Sequence, residues 1–176
     1  MTRQIQMYNS KKNQGFTLIE LVAVIVLLGV LAAVAAPKFI NLSSDANKAA
    51  LEAMGGTILS SAKLVYGKAL VQQVQNEAVT TIDINGDGSD DIEIKYGYPS
   101  ANRTTGIANA LNISDDWAYG DTYGGGSFYV TRASMAGFSG RTNNNIPITR
   151  TKCYLSYKSP TVAGGTPTVT YITADC

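Results

Sequence analysis

Residues 16–36 read FTLIELVAVIVLLGVLAAVAA, from Phe16 to Ala36. One charge, Glu20, interrupts 21 residues, and from Leu21 to Ala36 every residue is apolar or glycine. At about 1.5 Å rise per residue such a helix spans roughly 31 Å, the thickness of a bilayer core. The segment before it, residues 1–15, carries Arg3, Lys11 and Lys12 and no acidic residue. A basic flank ahead of a first apolar helix keeps the N-terminus in the cytoplasm, so the chain beyond Pro37 is expected on the far side of the membrane.

Glu20 decides between readings of this helix. A secretory signal peptide has a shorter apolar region and a small-residue cleavage site; here the apolar run is longer and only Ala33–Ala36 offers such a site. A plain anchor leaves Glu20 unexplained. An intramembrane carboxylate costs about 2–3 kcal/mol on insertion scales and usually has a partner.

The hexapeptide Gly15-Phe16-Thr17-Leu18-Ile19-Glu20, between a short basic leader and a long apolar helix, resembles the class III signal of type IV pilins. The resemblance is strong over residues 11–45. It implies that a prepilin peptidase cuts after Gly15 and N-methylates Phe16, and that Pro37 is the family's helix-kinking proline. Glycine at the cut presents no Cβ to the peptidase. Cleavage frees an α-amino group that is cationic near neutral pH. Glu20, about one turn away, then has a partner: the Phe16 amine of a neighbouring subunit. The pair avoids an unpaired charge in an apolar bundle and sets the assembly register.

After Lys38 the pattern becomes amphipathic. Leu51, Met54, Ile58, Ala62, Val65 and Ala69 recur at helical spacing, with Glu52, Ser60, Lys63 and Lys68 between them. The helix is expected to continue past Pro37 and end near Gln75-Asn76. Gly55-Gly56 marks either close packing or a weak point.

From Val79 the runs Val79–Ile84, Ile92–Tyr96, Phe128–Arg132, Cys153–Lys158 and Thr168–Thr173 read as strands. Glycine, asparagine and proline clusters separate them, and Thr105–Asn112 suits a short helix. The fold class is α+β: a long N-terminal helix packed on an antiparallel β-sheet head, the pilin fold. The expected organisation is a cleaved leader (1–15), a hydrophobic transmembrane and filament-core helix (16–37), an amphipathic helix packed on the head (38–77), and a sheet head (78–176).

Cys153 and Cys176 are the two cysteines. In an extracytoplasmic compartment they are expected to pair, resembling the disulfide-bounded C-terminal region of type IV pilins; two free thiols are the alternative. Closing that loop stabilises by about 3.5 kcal/mol on the chain-entropy model. Asp83, Asn85, Asp87, Ser89 and Asp91 alternate around Gly86 and Gly88, which suits a structural Ca²⁺. Position twelve of such a loop is Ile94 rather than glutamate, and Asn-Gly and Asp-Gly are equally strong hairpin signals. Both readings stand open, and no other cofactor is required.

The chain has 14 basic and 13 acidic residues and no histidine. That excludes His-based hydrolases and His-ligated zinc, and no enzyme is expected. The near-neutral balance argues against nucleic acid as a partner. Removing residues 1–15 takes three basic residues and no acidic one, changing the formal charge from +1 to −2.

The expected function is a structural subunit of a type IV pilus. It is held in the inner membrane with a cytoplasmic N-terminus and a periplasmic head, processed by prepilin peptidase, and polymerised by the pilus assembly machinery of that membrane. The product is an extracellular helical filament for surface attachment and biofilm formation. Residues 36–42 (APKFINL), 65–69 (VYGKA) and Tyr96-Gly97-Tyr98-Pro99 are similar to the mannose-sensitive haemagglutinin pilins. The alternatives are a pseudopilin of a type II secretion system and, in a different class, a membrane-anchored domain binding a surface glycan through tyrosines and Trp117 in surface loops.

Overall fold

The computed structural model describes residues 16–176, with residues 39–41 described by backbone alone. Helix α1 runs Leu18–Val71, through Pro37. The chain divides into two compact units, with the boundary between Asn41 and Leu42. In the first unit every side chain from Phe16 to Val34 is exposed, including Leu18 at 82%. This is the apolar stretch with no interior of its own to enter.

The second unit, Leu42–Cys176, contains the remainder of α1 and the head. Its strands are β1 (Thr80–Ile82), β2 (Ile92–Lys95), β3 (Tyr98–Pro99), β4 (Trp117–Asp121), β5 (Phe128–Arg132), β6 (Gly140–Arg141), β7 (Cys153–Lys158) and β8 (Thr168–Thr173). Short helices α2 (Ala133–Ala136) and α3 (Ile146–Thr149) and a 3₁₀ turn at Ile107–Ala110 join them. The architecture is α+β, with a long N-terminal helix and a largely antiparallel head.

Instead of one sheet there are two. One has the order β1-β2-β3, the other β6-β4-β5-β7-β8. All pairings are antiparallel except β4 with β6, which run parallel through Ala118–Gly140 and Tyr119–Arg141. The helical stripe predicted from spacing is the buried one: Leu51, Ile58, Ala62, Val65 and Ala69 are at most 1% exposed. Its first part joins a core with Phe128, Val130, Leu155 and Tyr157 of the larger sheet. Its last turns, Val65 and Ala69, join a second core with Ile82, Ile92 and Ile94. The buried Tyr157 hydroxyl donates to the Pro99 carbonyl at 2.7 Å, tying one sheet to the other.

The helix ends at Val71, earlier than the Gln75-Asn76 that the sequence suggests. Gln73 takes a left-handed conformation (φ 59°). Its N–H donates to the Leu70 carbonyl, and that of Val74 to the Ala69 carbonyl. This is a Schellman cap with glutamine where glycine is usual, and Val74 packs back on the Ala69 cluster. The strands at 79–84 and 92–96 are likewise shorter than expected, because Asp83–Asp91 forms a tight loop and Tyr96-Gly97 turns the chain.

Strand β4 is missing from the sequence expectation; it contains Gly120 and Asp121, residue types depleted in strands. Glycine is required there because a Cβ would lie 2.7 Å from Thr142 Cγ2 and 2.8 Å from the Asn144 carbonyl. Asp121, 3% exposed, accepts from the Arg103 guanidinium and backbone N–H. Trp117 is not in a surface loop. It is 9% exposed in the larger core, with the Arg132 guanidinium 5.4 Å from its ring centre. Of Gly55-Gly56, Gly55 is the close-packed member: a Cβ there would run into the Tyr171 phenol of β8.

Candidate functional site

Of the expected processing and assembly residues, Phe16 and Glu20 lie at the start of α1. Gly15 lies outside the described residues. Phe16 is 89% exposed. Thr17 precedes the first helical residue, and Glu20 follows three positions later. Glu20 Oε2 accepts from the Thr17 N–H and from the Thr17 hydroxyl, both at 2.8 Å. In return Thr17 Oγ1 accepts from the Glu20 N–H at 3.3 Å. This is a reciprocal capping box, satisfying amides that have no partner within the helix. The signal stands in the sequence as T-x-x-E, although reading Glu20 for its charge alone passes over it. Pro37 is helical and exposed, without the helix breaking at that point.

In the head, Cys153 and Cys176 form a disulfide with Cα atoms 4.8 Å apart. The closure is stitched on two sides. The Asp175 N–H donates to the Lys152 carbonyl at 3.2 Å, and Asn47 Nδ2 of α1 donates to the Cys176 carbonyl at 3.3 Å. The C-terminal segment is thereby held to both helix and sheet.

The Asp-rich loop closes on itself. The Asp83 carboxylate accepts from the N–H groups of Gly88 (2.8 Å) and Gly86 (2.6 Å). These amides hold its pKa below the usual carboxylate range. Asn85 Oδ1 accepts from the Asp87 N–H at 2.9 Å, and Asp87 Oδ1 from the Ser89 N–H at 2.8 Å. Asp91 Oδ2 accepts from the Ile84 N–H at 2.9 Å. Among the described residues no group of three His, Cys, Asp or Glu side chains is placed to hold a metal ion. The calcium reading gains no support from this; of the loop's contacts, those of Asn85 with the Asp87 N–H and of Asp87 with the Ser89 N–H are Asx turns, as a plain hairpin turn uses.

Residues 10–36 match the prokaryotic N-terminal methylation motif. The chain is also similar to the type IV narrow pilus major component PilA5 of Thermus thermophilus: 33% identical over 110 residues, covering 62% of this chain and 84% of that protein. No solved structure gives a significant match. With the methylation motif spanning the Gly15-Phe16 junction and capped helix start, and that relative matched over most of its length, the chain belongs to the type IV pilin family, the structural subunits of type IV pili.

Proposed function

We propose that the chain is made as a precursor and cut between Gly15 and Phe16. It is N-methylated on Phe16 by prepilin peptidase. Until assembly it stays in the inner membrane, N-terminus in the cytoplasm and head outside. The pilus machinery of that membrane then polymerises it, with residues 16–37 forming the filament core and the heads its surface. The observation that carries this reading is the exposed apolar helix from Leu18 to Val34 with a single carboxylate one turn from Phe16. A lipid bilayer or a bundle of sister helices covers such a helix, and the contacts of a one-directional bundle generate filaments.

In the bundle, Glu20 pairs with the α-amine of Phe16 on a neighbouring copy. The capping box positions it, since its bonds to Thr17 keep the carboxylate at the helix start. Lone-pair sites on the carboxylate remain for a second donor. The likeness of residues 36–42, 65–69 and 96–99 to the mannose-sensitive haemagglutinin pilins supports a filament used in surface attachment and biofilm formation.

Glu20→Val tests the role of the carboxylate. The expected result is normal membrane insertion with filament yield lowered at least tenfold. Wild-type amounts of filament from that variant overturn it.

A further inference from the structure

We propose that the head carries a binding site for an acidic monosaccharide unit, in a cavity beside the β2–β3 turn. It extends the attachment reading by naming a ligand class, and rests on that reading only for its biological use. The cavity has a volume of about 360 Å³ and is formed where four chain segments converge, at residues 78–79, 95–96, 125–126 and 159–161. That is the small end of the range for ligand pockets, and the site is a depression open to solvent on one side, which suits a single sugar ring with one face exposed.

Tyr96 carries the inference. Strands β2 and β3 pair with Lys95 opposite Tyr98, so Tyr96 and Gly97 form a two-residue hairpin loop. Both have positive φ, 48° and 83°, as a type I′ turn requires. Glycine at the second position is explained by packing: a Cβ there would lie 2.7 Å from the Tyr66 ring. Tyrosine at the first position is not explained by the turn, which favours asparagine or aspartate. A bulky side chain held in the left-handed region is strained, and such strain gathers at binding sites. The turn is fixed in place by the Tyr96 N–H donating to the Glu77 carbonyl at 2.8 Å.

The lining chemistry sets the ligand class. Tyr96, Val79 and Pro160 are among the lining residues and supply the apolar surface that packing against the C–H side of a sugar ring needs. Ser159 and Thr161 bring hydroxyl groups that exchange hydrogen bonds with sugar hydroxyls. Lys95 brings a cation that has no ion-pair partner among the described residues. A cation beside the depression favours a sugar that carries a carboxylate over a neutral one, as in a uronic or sialic acid.

The full chain, solubilised in detergent, is titrated with methyl glucuronide, N-acetylneuraminic acid and neutral methyl glucoside by calorimetry. The wild type is expected to bind at least one acidic sugar with Kd on the order of 1 mM or tighter, and the neutral one at least fivefold more weakly. Tyr96→Asn is expected to melt at the same or higher temperature and bind at least tenfold more weakly. Lys95→Gln is expected to abolish the preference for the acid. No binding of either acidic sugar to the wild type overturns the proposal. So does unchanged binding by Tyr96→Asn, or an acid preference that survives Lys95→Gln. Because binding is measured on unassembled chains, it fails or succeeds independently of filament formation.

Discussion

Glu20 and Thr17 cap the same helix end from both directions, the carboxylate taking the Thr17 N–H and hydroxyl while the Thr17 oxygen takes the Glu20 N–H. The carboxylate that is assigned an intermolecular partner therefore already has an intramolecular one. Its geometry can be separated from its charge, because glutamine keeps an acceptor oxygen of the same reach.

Glu20→Gln should preserve the capping box and remove the attraction for a neighbour's α-amine. Sheared filament yield is expected to fall at least tenfold, with membrane-inserted precursor unchanged. Thr17→Ala should lower yield far less, since the charge remains. Quantifying sheared and membrane fractions by immunoblot checks both; normal filament yield from Glu20→Gln would show that the acceptor, not the charge, matters.

The Cys153–Cys176 bond closes a loop whose ends are also tied to Asn47 and Lys152. Cys153→Ser combined with Cys176→Ser is expected to cost about 2–4 kcal/mol of stability. Thermal melts of the detergent-solubilised chain, with and without reductant, measure it. A wild-type melt insensitive to reductant would contradict it.

Two glycines should respond in opposite directions. Gly56 faces open space within α1, so Gly56→Ala is expected to stabilise the unassembled chain by about 0.5–1 kcal/mol through helix propensity. Gly120 faces Thr142 and the Asn144 carbonyl, so Gly120→Ala is expected to destabilise by about 1–3 kcal/mol through overpacking. Denaturant titrations of both variants give the comparison.

Asp83 binds its proton more weakly folded than unfolded, because the amides of Gly88 and Gly86 donate to its ionised form. Its stabilising effect is therefore present above the unfolded carboxylate pKa, about 3.9. It is lost as pH falls through the lower folded value. The Gly86 and Gly88 amide resonances should be downfield and protected at neutral pH in EDTA, and collapse together with acid. Resonances that appear only on adding calcium would show that the loop needs a metal to form.

Much of the fold is legible in residue order. The stripe from Leu51 to Ala69 follows from the helical period alone, and strands β5, β7 and β8 from their β-branched and aromatic runs. What escapes is set by tertiary contact. Gln73 ends the helix in a conformation for which glutamine carries no signal. Strand β4 hides behind Gly120 and Asp121, residue types depleted in strands, until Thr142, Asn144 and Arg103 are placed around them. The partition into two sheets depends on how β3 and β6, two residues each, find their partners. At the helix start, by contrast, the capping box lies within four residues and the motif within six. The assembly segment is accordingly the most local and most readable part of the chain.

Intact-mass and N-terminal analysis of protein sheared from the cell surface bears most directly on the chain's role as a processed pilus subunit. The expected species begins at N-methylated Phe16, lacks two hydrogens for the Cys153–Cys176 bond, and is recovered in long polymers. A chain that keeps residues 1–15 and stays in the cell envelope would contradict both processing and filament assembly.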